Sequence, residues 1–279
     1  MKKAFTLVEL LTVLAIIVML VGLIIPATVT VHRFAKETKQ KAEFISIEVA
    51  LRLFKNDYGE YPPSFEDKVM HDYSGSQKLV EALLGRDLLG FHPQSQWELS
   101  DGVYDDKTPE NLQQRKSRYY ESRTTNIHRL GFGVGEGLFI NAGLLAPNTF
   151  VMCDIFGVRE IKLANNKKVR AGTPILYYRA NTTSKVFADG IVGWNNSIYN
   201  AYDNLALIGL GILQPDGSTK GKHWLYGNEG QNFYSPEYKI VDPIITSMLW
   251  PRNPESYILI SAGIDGKYGT IDDITNLGN

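Results

Sequence analysis

Phe5-Thr6-Leu7-Val8-Glu9 opens an apolar stretch that decides how this chain of 279 residues is built. Between Leu10 and Val31 the sequence has no charged side chain. As an α-helix this stretch would be about 33 Å long, at roughly 1.5 Å per residue, and the hydrocarbon core of a bilayer is about 30 Å thick. Because the bilayer core holds no water to satisfy backbone amides and carbonyls, we expect a transmembrane helix here.

Glu9 lies at the N-terminal edge of this predicted helix and is its one charged residue. A carboxylate at the edge of a membrane span is costly and often marks a functional site. The alternative is that Glu9 is favoured there by the helix dipole, which attracts an anion to a helix N-terminus. The residue on its own does not separate the two interpretations.

Lys2 and Lys3, the small residue Ala4, the Phe-Thr-Leu-Val-Glu motif at 5–9 and the apolar helix follow one another in that order. This order resembles the N-terminus of type IV prepilins and of the pseudopilins of type II secretion systems. The resemblance implies that a prepilin peptidase cuts between Ala4 and Phe5 and methylates the new amine of Phe5. It also implies a single-pass protein of the bacterial inner membrane, with a cytoplasmic N-terminus and a periplasmic domain.

The freed amine of Phe5 gives Glu9 an expected role. Packed among neighbouring copies in lipid, this amine could pair with the Glu9 carboxylate of another subunit. An ion pair in a low dielectric is strong only when both partners are in place, and an unpaired charge there is costly. We therefore expect Glu9 to favour correctly staggered subunits during assembly.

The helical pattern continues beyond the membrane segment. No Gly or Pro occurs from His32 to Asn56, and apolar residues recur at roughly helical spacing. The sequence Asp57-Tyr58-Gly59, followed by Tyr61-Pro62-Pro63, is typical of a helix end and an extended exit. From Phe150 onward, short runs of β-branched and aromatic residues between turns predict strands. The expected fold class is α+β: a long N-terminal helix, membrane-spanning in its first half, packed on a small antiparallel β-sheet domain with insertions.

The stretch from Ser261 to Ile274 combines glycines with three aspartates, Asp265, Asp272 and Asp273. One interpretation is a hairpin with an Asp-Gly turn. The other is a calcium site, because calcium takes six to eight oxygen ligands at about 2.3–2.6 Å and three carboxylates at a glycine-rich loop suit a hard cation.

The same stretch is similar to the calcium loop of major pseudopilins, with the pattern Ser-x-Gly-x-Asp-Gly-x-x-Gly-x-x-Asp-Asp-Ile. The resemblance implies a bound Ca²⁺ ion, with the side chains of Asp265, Asp272 and Asp273 as ligands. The carbonyl oxygen of Ala262 and an oxygen of Ser261 would complete the shell.

The predicted organisation has four parts and several elements within the last of them. The parts are a leader at 1–4, a transmembrane half-helix at 5–31, an exported half-helix at 32–57 and a globular domain at 58–279. In the domain we expect insertions at about 65–148 and 188–240 and the calcium loop at about 259–274. We also expect a second helix from Phe65 to Leu89 and short strands at 149–153, 160–163, 175–179 and 185–187.

Composition argues against several functions. The net charge is −1 and the isoelectric point is about 6.5, so we expect no nucleic-acid partner. The single cysteine, Cys153, excludes an internal disulfide. The five histidines are scattered, and no metalloprotease, nucleophile-elbow or kinase motif occurs in the sequence. We therefore expect a protein that is not an enzyme.

The resemblance at both ends of the chain implies a structural subunit of a periplasmic pseudopilus, which assembles from the inner membrane to drive protein secretion. Its partners would be copies of itself, other pseudopilins, the prepilin peptidase, the membrane and the inner-membrane secretion platform. Two alternatives remain open at this level. One is a membrane-tethered ligand-binding or adhesin-like module that uses a pilin anchor, and the other is a minor type IV pilin.

Overall fold

The structure is a computed structural model, and it describes most of the chain. The described residues are 6–64, 73–121, 127–131, 136–146, 148–163, 165–187 and 197–278, with Asn228 described by its backbone alone. By contact density the chain divides into two compact units, Met1–Lys39 and Gln40–Asn279. The division falls inside the first helix, so the part of that helix from Gln40 onward belongs to the globular unit.

Helix α1 runs from Leu7 to Tyr58 and confirms the predicted long N-terminal helix. Its most apolar 18-residue window has a mean hydropathy of 2.9, and none of that window is buried within the chain. In the described part of the chain this is the one helix long and apolar enough to cross a membrane.

The second half of α1 buries one face. Phe44, Ile47, Leu51 and Phe54 recur at spacings of three and four residues, and each is at most 2 % exposed. This spacing places them on one side of a helix. They pack in one core with α2, Gly75–Leu84, and with part of the central sheet.

The remaining elements are short, and the strands form four small antiparallel sheets among the described residues. The strands are β1 (Ile127–Arg129), β2 (Phe150–Met152), β3 (Arg159–Lys162), β4 (Lys168–Ala171), β5 (Leu176–Arg179), β6 (Ile212–Leu213), β7 (Thr219–Lys220), β8 (Tyr257–Ser261) and β9 (Ile274–Thr275). Among the described residues, the helices beyond α2 are α3 (Pro109–Gln114), α4 (Leu205–Gly209) and two 3₁₀ helices at Ala201–Asn204 and Trp224–Tyr234. This is an α+β fold, as predicted.

The central sheet has the order β5-β8-β9 and is covered on both faces. Tyr177 of β5 lies opposite Leu259 of β8, and both face the core shared with α1 and α2. Tyr178 and Ile258 are the next pair, and they face a second core built with the segment 197–241. Because successive side chains of a strand point to opposite faces, the sheet separates two hydrophobic cores.

The predicted strands at 149–153, 160–163 and 175–179 are confirmed within one or two residues. Strands β3 and β4 form a hairpin between Cys153 and Pro174, and these two residues form a bridge across its base. The predicted strand at 185–187 is wrong, because Val186 makes only an isolated bridge to Ser197.

The second helix is shorter than predicted. The prediction extended it to Leu89, but α2 ends at Leu84. Gly85 has a φ of +83°, and a Cβ at this position would lie 2.1 Å from the carbonyl oxygen of Gly90. The chain turns here because only glycine tolerates both constraints. The predicted start of the helix, at Phe65, lies outside the described residues.

We expect Gly85→Ala to destabilise the domain much more than Gly102→Ala. Gly102 also has a positive φ, +74°, but a Cβ there would have no atom within 4 Å. The control should lose about 1–3 kcal/mol from the left-handed backbone alone, while Gly85→Ala adds a clash with backbone atoms. Thermal unfolding of the full chain in detergent measures the stability of both variants. An equal loss of stability in the two would contradict the close packing at Gly85.

Candidate functional site

The start of α1 gives Glu9 a partner within its own chain. The Oε2 atom of Glu9 accepts hydrogen bonds from the backbone N–H of Thr6, at 2.9 Å, and from the Thr6 hydroxyl, at 2.8 Å. The N–H of Glu9 in turn donates to the Thr6 hydroxyl oxygen at 3.2 Å. This reciprocal pair is a capping box, which satisfies amides that have no partner at a helix start. Ala4 and Phe5, the predicted processing residues, lie outside the described residues.

The second half of α1 carries an exposed stripe, formed by Ile45, Val49 and Leu53. Their exposed fractions are 61 %, 52 % and 46 %. The spacing of four residues aligns them along one side of the helix. The stripe is therefore a row of aliphatic side chains that the globular unit does not cover.

The C-terminal loop, residues 262–273, joins β8 to β9 and brings two of the three predicted aspartates together. The N–H of Asp265 donates to Oδ2 of Asp272 at 3.0 Å, and the Thr270 hydroxyl donates to Oδ1 of Asp272 at 2.5 Å. The N–H of Lys267 donates to Oδ1 of Asp265 at 2.8 Å. Two carboxylates and a hydroxyl therefore share one end of the loop.

The two aspartates respond differently to this proximity. Burial, together with the neighbouring negative charge of Asp272, raises the pKa of Asp265. Burial also acts against ionisation of Asp272, but hydrogen bonds from Thr270 and from the Asp265 amide outweigh it and lower the pKa of Asp272. Asp272 is thus the more firmly ionised member of the pair.

Asp273 has a different set of partners. Its Oδ2 atom accepts from the Tyr238 hydroxyl at 2.9 Å and from the Gly269 N–H at 2.8 Å. Its Oδ1 atom is buried and has no hydrogen-bond partner in the part of the chain that the structure describes. Burial raises the pKa of Asp273 to about 7. Asp273 therefore anchors the inside of the loop.

The segment that follows α4 fastens the C-terminal loop from outside. The Lys239 ammonium donates to the backbone carbonyls of Ile271 and Asp273. The Tyr268 N–H donates to Nδ1 of His223 at 3.0 Å. Tyr238 and Lys239 belong to the predicted insertion at 188–240, but their role in closing this loop was not predicted from the sequence.

Ser261, a predicted ligand, is hydrogen-bonded to Asp154, which is distant from it in the sequence. Its hydroxyl donates to Oδ2 of Asp154 at 3.0 Å. The other oxygen of Asp154 accepts N–H bonds from Phe156 and Thr173, each at 3.1 Å. Burial raises the pKa of Asp154 to about 7, and the charge of Asp272 adds to the effect. Ala262, the remaining predicted ligand, is fully buried next to Ser261.

The donor set at the C-terminal loop consists of oxygens. Asp265, Asp272 and the Thr270 hydroxyl come together, whereas Asp273 and Ser261 are engaged below them. Among the residues that the structure describes, no group of three or more His, Cys, Asp or Glu side chains is arranged to hold a metal ion. A cation here would therefore depend on two carboxylates supplemented by hydroxyl and backbone oxygens, which are ligands that calcium accepts.

Comparison with known proteins gives no relative: no protein-family model matches the sequence, and searches of curated proteins and of solved structures find no match.

We expect the stability of the domain to fall as the pH rises from about 4 to about 7. Asp154 has a pKa of about 7 in the folded state and an ordinary value of 3.8, so in this window the folded state holds a proton that the unfolded state has lost. Asp154→Asn should flatten the slope by up to about 1.4 kcal/mol per pH unit. Denaturant unfolding at a series of pH values measures this, and an unchanged slope in the variant would show that Asp154 ionises normally.

Proposed function

We propose that this chain is a structural subunit of a pseudopilus-like filament, anchored in the bacterial inner membrane with its globular unit in the periplasm, and that the filament drives protein secretion. The observation that carries the proposal is the start of α1. There a Thr-x-x-Glu capping box, Thr6 to Glu9, leads directly into an apolar helix that the chain itself leaves uncovered.

The uncovered apolar segment needs a non-aqueous environment. Burying apolar surface stabilises by about 25 cal/mol per Å², so leaving a whole window of this hydropathy in water would be strongly unfavourable. Lipid, or the same segments of neighbouring copies in lipid, removes that cost. A signal sequence would also supply an apolar segment, but its apolar region is usually about 7–15 residues long, and the uncharged stretch from Leu10 to Val31 is longer.

The capping box supports a specific order of events for Glu9. In a single chain the carboxylate is satisfied by Thr6, so an isolated subunit does not carry a bare charge. We propose that peptidase cleavage between Ala4 and Phe5 frees the Phe5 amine, which in an assembled filament pairs with Glu9 of a neighbour. The Thr6 contacts then keep the carboxylate oriented until the neighbouring amine is in place.

The exposed stripe supports self-association beyond the membrane. Ile45, Val49 and Leu53 lie on an exported helix whose opposite face is buried in the domain. A second copy of the chain, brought close by its own membrane segment, would cover them. Interhelical contacts of this kind bury aliphatic side chains between ridges and grooves.

A comparison of Glu9→Ala with Glu9→Gln separates the capping role of the Glu9 side chain from the role of its charge. Gln can form the same capping box as Glu, so Glu9→Gln keeps the helix start but removes the charge, whereas Glu9→Ala removes both. If Glu9 pairs with a neighbouring amine, both variants should assemble poorly. Crosslinking in membranes of cells that express each variant measures assembly, and mass spectrometry of the mature N-terminus checks cleavage before Phe5.

Two outcomes would contradict the assembly role. If the Glu9→Gln variant assembles as well as the wild type, the function of Glu9 is capping alone. Reduced assembly that accompanies a lower melting temperature of the globular unit would indicate a folding defect instead. The Lys267→Ala variant is the control: Lys267 is exposed, and its replacement should leave both the assembly and the melting temperature unchanged.

We also propose that the C-terminal loop binds Ca²⁺ through Asp265 and Asp272. The nearness of the Asp265 and Asp272 carboxylates to each other and to the Thr270 hydroxyl supports this. Because Lys239 and Tyr238 already hold the loop, we infer that the ion would strengthen a loop that the protein itself closes.

We expect calcium to raise the melting temperature of the full chain compared with a chelator. Ligand binding stabilises by RT ln(1 + [L]/Kd), about 2.7 kcal/mol at a hundredfold excess over Kd. Asp265→Asn and Asp272→Asn should abolish the gain, while Lys267→Ala should keep it. Asp273→Ala should destabilise with or without calcium, because it removes the acceptor of Tyr238 and Gly269. The same melting temperature with calcium and with chelator would contradict calcium binding by the loop.

A further inference from the structure

Residues 32–39 of α1 form a basic segment that follows the uncharged stretch and ends where the globular unit begins. Its sequence is His-Arg-Phe-Ala-Lys-Glu-Thr-Lys. It carries three cations, Arg33, Lys36 and Lys39, and one acid, Glu37, so its net charge is +2 with the histidine neutral. The positive charge of α1 is therefore concentrated directly after its apolar half.

The cations of the basic segment differ in their partners. The Nε atom of Arg33 lies 2.9 Å from Oε1 of Glu37, and this ion pair neutralises both residues. Lys36 and Lys39 are exposed, and their ammonium groups make no ion pair within the part of the chain that the structure describes. The net charge of the segment thus resides on the two lysines.

The two lysines lie in one row along the helix together with a histidine. His32, Lys36 and Lys39 are separated by four and three residues, which places them on one side of α1, and all three are exposed. The next acid on this side is Glu43, whose Oε1 atom accepts a hydrogen bond from the Tyr120 hydroxyl at 2.9 Å. The row therefore presents positive charge to the surroundings of the helix.

The row begins where the hydrocarbon core of a bilayer would end. The uncharged stretch is about 33 Å long as a helix, which fills a core of about 30 Å. The headgroup layer adds about 5–7 Å on each side, or roughly four or five residues of helix. Lys36 is the fifth residue after Val31 and so falls within this layer. Lys39 follows one turn later, within the Debye length of about 8 Å at physiological ionic strength.

An anionic lipid surface fits this row better than a second copy of the chain does. A parallel copy at the same depth in the membrane would present the same lysines, and like charges at close range repel. Anionic headgroups supply phosphate oxygens at the depth of the row and around the whole helix. Basic residues next to a membrane helix are attracted to such headgroups.

We propose that the row of His32, Lys36 and Lys39 binds the phosphate groups of anionic phospholipids. The inference rests on the membrane insertion of α1 that the function proposed above requires, and it names the lipid that the inserted helix selects. The selected leaflet is the one on the side of the globular unit, which is the periplasmic leaflet in the proposed topology. Bound headgroups would fix the depth of α1 in the bilayer.

The test compares two lipid surfaces. The full chain is reconstituted into vesicles of phosphatidylcholine alone or of phosphatidylcholine mixed with phosphatidylglycerol, and the lipids that remain bound after mild detergent extraction are quantified by mass spectrometry. The double variant Lys36→Gln/Lys39→Gln removes both charges and keeps the helix, because Gln and Lys have similar helix propensities. The matched control, Lys167→Gln/Lys220→Gln, removes the same charge from exposed lysines of the globular unit.

We expect the wild type to retain phosphatidylglycerol in preference to phosphatidylcholine at low salt, and the preference to weaken at high salt. The double variant should lose about tenfold or more of this preference, since each basic residue near an anionic surface contributes about fivefold. The control variant should retain the same lipids as the wild type.

Insertion of α1 is measured separately, as resistance to alkaline extraction from both kinds of vesicle. Insertion without a preference for phosphatidylglycerol, or a preference that the double variant keeps, would overturn the lipid site and leave the proposed anchor intact. A failure to insert into either kind of vesicle would overturn the anchor as well. Fewer crosslinks between copies of the double variant than of the wild type, in phosphatidylcholine alone, would assign the lysines to a neighbouring copy and overturn the lipid site.

Discussion

The constraint on which the structure depends is that one helix combines an exposed apolar half with a half that builds the core of the globular unit. The apolar first half of α1 has no cover from the chain, while the second half buries Phe44, Ile47 and Leu51 in the core of the globular unit. The globular unit therefore includes part of the helix that carries the apolar segment. Its core begins inside the helix that carries the apolar segment, so removal of the helix beyond Gln40 would remove part of the core as well.

The central sheet connects the core built by α1 to the rest of the globular unit. Since β5 and β8 are buried on both faces, each face requires its own cover. Helices α1 and α2 cover one face, and the segment 197–241 covers the other. That second cover is what buries Asp203 and Asp273, and each of these carboxyls accepts a hydroxyl hydrogen bond, from Ser64 and Tyr238 respectively. The segment 197–241 is thus a structural layer of the fold.

Sequence patterns predicted what depends on local periodicity. The C-terminal end of α1 and the strands β2, β3 and β5 were predicted closely, because their residues repeat at 3.6 or 2 positions and turn residues follow them. The end of α2 was missed because it depends on a contact between Gly85 and Gly90. The buried state of Asp154 was missed for the same reason: its partners Thr173 and Ser261 are distant in sequence.

The three aspartates of the C-terminal loop show the same limit within a single motif. Spacing predicted that Asp265, Asp272 and Asp273 would share one site. Consecutive side chains that lead into a strand point to opposite sides, and Asp272 faces Asp265 while Asp273 faces Tyr238. A sequence motif of adjacent acids therefore predicts that a polar loop is present, but not that both acids serve the same ligand.

At the other end of the chain, two interpretations of Glu9 turn out to be compatible. A helix start favours a Glu three residues after a Thr, and the motif that resembles a prepilin has the same two residues at the same spacing. Capping holds the carboxylate at the first turn through two bonds from Thr6, at 2.9 and 2.8 Å. An acceptor held in this way retains lone pairs for a further donor. A neighbouring amine could therefore add to the cap without displacing it, so the local role of Glu9 prepares the residue for the role proposed in assembly.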